Sequence, residues 1–120
     1  LAGLYQEAQQ ARTQHDSARA AELFAELERR FPGDTNVRLL AIESLVRDKN
    51  DGRAALTALS RVSVAPDDRR LQLRVGFLKA DAYVAARKPD SARAVLERLG
   101  SSYPDMQARI GDRLRMINNQ

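Results

Sequence analysis

The sequence contains no cysteine, and aromatic residues make up only 5% of it. The absence of cysteine excludes disulfides, thiolate metal sites and cysteine nucleophiles, and it is compatible with a reducing or an oxidising compartment. No apolar run approaches the roughly 20 residues that a bilayer-spanning helix needs, and no targeting segment is present. We therefore expect a soluble chain, from either the cytoplasm or the bacterial periplasm.

The patterns that carry catalysis or metal binding are also missing. His15 is the only histidine and has no partner at ligand spacing, so we expect it on the surface of a turn. Asp67 and Asp68 directly follow a proline and are expected to cap a helix rather than to act as an acid–base pair. Ser17 and Ser91 have no neighbouring base. We predict a domain without enzymatic activity, cofactor or metal.

Charged residues are abundant, at 30% of the chain. Twenty basic residues against sixteen acidic ones give a net charge of +4, but the two signs alternate along the sequence. The longest basic runs are the pairs Arg29-Arg30 and Arg69-Arg70. Proteins that bind nucleic acids usually concentrate their basic residues in a patch. The alternation therefore favours a solvated helix surface with many ion pairs.

The stretch from His15 to Asp34 shows the pattern on which the chain is built. Asp16 or Ser17 can cap a helix, and Pro32 disfavours helical geometry in the residue before it. The apolar residues between them recur with helical spacing, at Ala20, Ala21, Leu23, Phe24 and Leu27. Since no segment of the chain alternates with the period of a strand, the predicted fold class is all-α.

Similar helical stretches recur along the chain. Pairs of predicted helices end near prolines 32, 66 and 104, which gives intervals of 34 and 38 residues. The pentapeptide Asp-Ser-Ala-Arg-Ala occurs at 16–20 and again at 90–94. We expect one domain of about seven antiparallel helices, and the longer second interval predicts an extra turn in the first helix of the third pair. The predicted units are 1–34, 35–68, 69–104 and a polar last helix at 105–118.

A period of 34 residues in helix–turn–helix units resembles the tetratricopeptide repeat family, in the form found in bacterial proteins. In the first unit, the small, aromatic, apolar and proline positions of the family are held by Ala8, Ala20, Phe24, Leu27 and Pro32. The third unit has Ala92, Leu96, Leu99 and Pro104 in the same register, with Ala80 at the small position of its first helix. Counting forward from Pro66 places Gly76 at that position instead. The second unit departs from it, with Ile42 where a small residue is usual. The resemblance implies an α–α superhelix with the polar last helix as its cap.

The resemblance also implies a protein–protein interaction module. In this family the first helix of each pair lines a concave groove, which here would bind a peptide segment or a neighbouring domain. By position, the groove residues are Tyr5, Gln9, Arg12, Leu39, Glu43, Arg47, Arg74, Phe77 and Asp81. For Leu39 and Phe77, packing between units is an equally good interpretation. The mixture of arginines and acids suggests a partner segment with both apolar and acidic residues.

Three other functions are considered. Some members of the family clamp the C-terminal carboxylates of chaperones, but Glu43 occupies a clamp position and would repel a carboxylate. A start at Leu1 without methionine suggests a piece of a longer polypeptide. The alternative function is therefore a spacer or oligomerisation arm in a larger bacterial envelope or chaperone protein, with self-association through exposed repeat ends. Nucleic-acid binding through the arginine-rich surface is a weaker alternative, because positive charge alone favours it.

Overall fold

Residues 2–119, which the computed structural model describes, form seven α-helices and a short 3-10 helix and contain no strand. The α-helices are α1 (Ala2–Thr13), α2 (Ser17–Arg30), α3 (Thr35–Arg47), α4 (Gly52–Leu59), α5 (Arg69–Ala85), α6 (Pro89–Ser102) and α7 (Gln107–Asn118). The 3-10 helix is Pro104–Met106. In this part of the chain, no helix combines the length and the apolar character needed to cross a membrane. The prediction of an all-α fold is confirmed.

Aspartate caps begin four of the helices. Asp16, Asp34, Asp51 and Asp68 each accept a hydrogen bond from the backbone N–H three residues later, at 3.0 to 3.2 Å. Each cap provides a partner for an N–H group that the helix itself leaves unpaired. Helix α6 begins differently, with Pro89 in its first turn, where the missing N–H costs nothing and the fixed φ suits the helix.

The turn inside each helix pair has the same backbone conformation. His15, Asn50 and Arg87 have positive φ angles of 61°, 50° and 62°. A left-handed residue at this place lets the chain fold back over the end of the helix, as when the N–H of Lys88 donates to the carbonyl oxygen of Tyr83 at 2.8 Å. The three turns therefore share a left-handed residue. His15 is exposed, as expected for a turn residue.

Helix α4 ends earlier than the sequence pattern predicts. The apolar spacing predicts a helix that includes Val62, but α4 ends at Leu59. The N–H of Val62 donates to the carbonyl oxygen of Leu59, only three residues back, and the hydroxyl of Ser60 donates to the carbonyl oxygen of Thr57 at 2.6 Å. Both bonds compete with continued α-helix, and a β-branched valine has little helix propensity to oppose them. Residues 62–65 consequently lead towards α5 without helix or strand.

The core consists of three clusters in series along the chain. The first lies between α1, α2 and α3, the second between α3, α4 and α5, and the third between α5, α6 and α7. Small residues are fully buried in the first and third pairs, Ala8 and Ala20 in one and Ala92 in the other. Such a serial core, in which each element packs on its neighbours, is typical of repeat proteins.

The second and third pairs meet at Gly52, the first residue of α4. A Cβ atom at this position would lie 2.3 Å from the carbonyl oxygen of Ala82 and 2.5 Å from the backbone nitrogen of Ala86. Since both atoms belong to the backbone of the α5 end, neither can rotate away. Glycine is therefore required for this close contact between α4 and α5.

Candidate functional site

A groove with a volume of about 710 Å³ lies between α3, α5 and α7; we call it the α3–α5–α7 groove. Helices α3 and α5 are the first helices of the second and third pairs, and α7 follows the third pair. Five of the nine residues predicted by position line this groove: Glu43, Arg47, Arg74, Phe77 and Asp81. Helical spacing along α3 and α5 thus brings these five together on one face.

Arginines dominate the charge of the groove. Five of them line it, namely Arg47, Arg70, Arg74, Arg109 and Arg113, against the two acids Glu43 and Asp81. Arg113 pairs with Asp81 at 2.6 Å, and Arg47 lies 3.6 Å from Glu43. Within residues 2–119, Arg70, Arg74 and Arg109 have no carboxylate oxygen within 4.0 Å. Folding therefore collects a positive patch from charges that alternate in the sequence.

The ring of Phe77 packs against the guanidinium groups of two of these arginines. Its side chain is only 5% exposed, and the guanidinium carbons of Arg109 and Arg113 lie 4.7 and 5.1 Å from the centre of its ring. A cation over an aromatic face is attracted by the negative face of the ring. The ring therefore holds both guanidinium groups against α5, where their N–H groups can still donate outward.

Asp81 shares the groove with these cations and is half-buried. Burial raises the pKa of Asp81, and the attraction and hydrogen bond of Arg113 lower it by less. The carboxylate neutralises Arg113 at close range. The unpaired positive charge of the groove is therefore that of Arg70, Arg74 and Arg109.

Arg12, predicted for the same groove, is bound to another part of the molecule. Its guanidinium donates to both carboxylate oxygens of Asp48, at 2.9 and 2.6 Å, and lies 3.4 Å from Glu43. It also lies 4.6 Å from the centre of the Phe24 ring. The Arg12 side chain is 12% exposed, so this arginine joins α1 to the end of α3 and has little surface left for a ligand.

Asp48 completes this ion pair in a buried setting. Its side chain is 2% exposed and also accepts a hydrogen bond from the Ser44 hydroxyl at 2.6 Å. Burial alone would raise the pKa of Asp48, but the hydrogen bonds from Arg12 and Ser44, with the attraction of Arg12, outweigh it and hold the pKa below its ordinary value. The charged pair is therefore a structural connection between the first two helix pairs.

Three further predicted residues lie outside the α3–α5–α7 groove. The Tyr5 ring meets the edge of Phe24 at a centroid distance of 6.4 Å, and the amide of Gln9 donates to the Tyr5 hydroxyl at 2.7 Å. Leu39 is 0% exposed, in the core between α3, α4 and α5. Leu39 thus packs between units, and the neighbouring helices leave none of its surface exposed.

The groove residues that the sequence prediction does not include are, among others, Arg70, Arg109, Arg113 and Met116. Three of these four belong to α7, for which the sequence predicts only a capping role. A signal for them exists in the sequence, since Arg109, Arg113 and Met116 follow one another at spacings of four and three and share a helix face. Ile110 and Ile117 lie buried on another face of the same helix. Helix α7 is thus both a cap and a wall of the groove.

Among the residues that the structure describes, no group of three or more histidine, aspartate or glutamate side chains could hold a metal ion.

Comparison with known families gives a match for part of the chain. Residues 74–105 match the model of a family described as tetratricopeptide repeat. The matched segment begins within α5 and includes all of α6. Neither a search of curated proteins nor a search of solved structures gives a match to this chain. The predicted resemblance and the helical repeat fold are confirmed.

Proposed function

Since the chain contains a tetratricopeptide repeat at residues 74–105, we propose that it is a non-catalytic module that binds a peptide segment or a neighbouring domain in the α3–α5–α7 groove. Repeats of this family generally mediate protein–protein interactions. The observation that carries the proposal is the convergence of five position-predicted residues on one cavity of about 710 Å³.

The lining of the groove suits a protein partner. Apolar side chains from three helices, Val46, Leu73 and Met116, lie among the arginines. Arginine and methionine are enriched in protein–protein interfaces, and arginine is frequent among the residues that contribute most binding energy. A segment with apolar and acidic side chains would satisfy both parts of this surface.

Nucleic acid is a less suitable ligand for the same surface. Five arginines would attract phosphate groups, but Glu43 and Asp81 lie between them. Single strands also rely on exposed aromatic rings for stacking, whereas the Phe77 ring in the groove is 5% exposed and covered by two guanidinium groups. The groove therefore favours a protein over a nucleic acid.

The spacer or oligomerisation hypothesis has little support at the first helix. Beyond Gly3, the exposed residues of α1 are polar: Gln6, Glu7, Gln10 and Thr13. Self-association through a repeat end would require an apolar surface there. The groove accordingly remains the favoured binding surface.

Charge reversal in the groove tests the proposal. One variant carries Arg70→Glu, Arg74→Glu and Arg109→Glu. A matched control carries Arg53→Glu, Arg61→Glu and Arg98→Glu, at exposed positions outside the groove, so the net charge changes equally.

The wild type and both variants are immobilised, and the proteins retained from one host-cell extract are quantified by mass spectrometry. Circular dichroism establishes that all three are folded. We expect a set of proteins that the groove variant loses and the control retains. Retention of the same proteins by all three would contradict the proposed groove.

A further inference from the structure

A second cavity, of about 250 Å³, adjoins the α3–α5–α7 groove; we call it the Met116 pocket. It shares Val46, Asp81, Arg113 and Met116 with the groove. The rest of its lining is almost entirely aliphatic, from Ala80, Val84, Ala85, Leu96 and Ile117, with Asn50 as the polar exception. The α3–α5–α7 groove is therefore charged, the Met116 pocket is mainly apolar, and the two share one wall.

Met116 stands at the boundary between the two cavities. Its side chain is 64% exposed, and no other large apolar residue among those described is classed as exposed. Packing of the fold does not account for this exposure, because Ile110 and Ile117 already provide the buried face of α7. A flexible methionine beside a cavity is well suited to contact apolar ligands of varied shape.

We propose that the Met116 pocket holds one apolar side chain of an acidic peptide segment, whose flanking carboxylates bind Arg70, Arg74 and Arg109. This inference rests on the proposed function and specifies the chemistry of the partner. The pocket is smaller than the roughly 300 to 1,000 Å³ typical of small-molecule sites, which suits a single side chain. Because the cavities share a wall, a peptide side chain in the pocket places the neighbouring residues of the peptide beside the groove.

Charge complementarity selects an acidic segment as the occupant. The three arginines have no carboxylate partner within residues 2–119, while the Arg113–Asp81 pair at 2.6 Å is already neutralised. Guanidinium groups form their strongest hydrogen bonds with carboxylates and phosphates. A basic segment would meet the like charge of Arg70, Arg74 and Arg109 in the groove.

Two labelled nonapeptides test this inference by fluorescence anisotropy. One has leucine at the centre of eight glutamates, and the other has alanine there. We expect the leucine peptide to bind the wild type about tenfold more tightly, since burial of the larger side chain removes more apolar surface from water. Arg74→Glu and Arg109→Glu should weaken both peptides alike, and added salt should do the same.

Filling the pocket should remove the preference for leucine. Ala85 lines the pocket and is partly exposed. The larger side chain of Ala85→Leu therefore fills the space that we assign to the apolar side chain of the peptide. Ala94→Leu is the control, because Ala94 is exposed on α6 and lines neither cavity. We expect Ala85→Leu to bind both peptides equally and Ala94→Leu to retain the tenfold difference. If Ala85→Leu is unfolded in thermal melts, Met116→Gln at its exposed position replaces it, with the same expected loss of preference.

The outcomes separate this inference from the proposed function. Equal binding of both peptides by the wild type would overturn the apolar pocket and leave the groove intact. No binding of either peptide, with groove-dependent capture of proteins still observed, would overturn the acidic partner alone. Tighter binding of an oligothymidylate than of the leucine peptide, lost on Arg74→Glu, would overturn the assignment of a protein partner.

Discussion

The first and third helix pairs present equivalent inner faces, but only the third presents its face to a groove. Arg12 in α1 and Arg74 in α5 are both predicted from inner-face positions. Arg12 is bound by Asp48 at 2.6 Å and is 12% exposed, whereas Arg74 lines the groove. The difference lies in the following unit, because the end of α3 supplies the buried carboxylate of Asp48 to Arg12, whereas α7 supplies no carboxylate to Arg74. The position of a residue in its repeat thus sets the helix face on which the residue lies. The neighbouring unit determines whether that face is exposed.

The two contacts between successive helix pairs, which we call joints, also differ. The first is held by an ion pair from α1 to α3. The second is held by backbone contact between α4 and α5 at Gly52, and α4 contributes no residue to the groove. The second joint can therefore be tight while the groove beside it remains open.

Arg12→Ala should have the largest effect on stability. It leaves Asp48 buried without its cation, and breaking a buried pair in this way costs about 3 kcal/mol. Arg74→Ala should change stability by no more than about 0.5 kcal/mol, as an ordinary surface substitution does. Urea denaturation of both variants measures the difference. Equal losses would show that the two arginines have the same role.

Gly52→Ala should destabilise the second joint by about 1 to 3 kcal/mol, because the new methyl group overlaps immovable backbone atoms. Gly33→Ala is the matched control, since a Cβ there would have no heavy atom within 4 Å. We expect the control to change the free energy of unfolding by less than about 1 kcal/mol. A Gly52→Ala protein as stable as the control would mean that the α4–α5 contact is looser than described.

Local signals in the sequence account for most of the fold. The caps at Asp16 and Asp68 and the ends of α2 and α6 depend on residues a few positions apart, which a sequence shows directly. The end of α4 is predicted less well, because Leu59 and Val62 both fit the apolar spacing and only competing hydrogen bonds separate helix from turn.

The groove is predicted only in part, because its other wall comes from distant residues. The contact of Arg113 with Asp81 joins positions 32 residues apart, and no local pattern places α7 beside α5. Leu39 shows the same limit. Helical spacing assigns it to the inner face, but its burial depends on side chains from α4 and α5. Helical spacing shows the direction in which a side chain points from the helix axis, but it does not show which other residues cover that side chain.

The two aspartates should respond to acid with opposite signs. The pKa of Asp48 is lowered in the folded state, so its contribution to stability is present at neutral pH and lost as the pH falls through the folded-state pKa, below about pH 4. The pKa of Asp81 is raised, so the folded state takes up its proton first and Asp81 favours folding more as the pH falls.

Denaturation between pH 3 and about pH 7 measures both contributions. Asp48→Asn should make the loss of stability on the acid side shallower than in the wild type, and Asp81→Asn should make it steeper. Identical slopes for the two variants would contradict the distinction between the closed and the open face.

The smallest effects are expected in the turns, where the first and third pairs are alike. His15 and Arg87 have φ angles of 61° and 62°, which glycine adopts without strain. His15→Gly and Arg87→Gly should each stabilise the chain, by up to about 1 kcal/mol. Thermal melts should show similar shifts for both. A shift of the melting temperature in only one of the two variants would show that the first and third pairs also differ in their internal turns.

The central claim, that the inner face is closed at α1 and open between α3, α5 and α7, is tested most directly by a nitrogen-15 NMR titration with the leucine-centred acidic peptide. We predict chemical-shift changes at Arg74, Arg109 and Met116, with Tyr5 and Arg12 unchanged. Changes centred on Tyr5 and Arg12, with α7 unaffected, would contradict it.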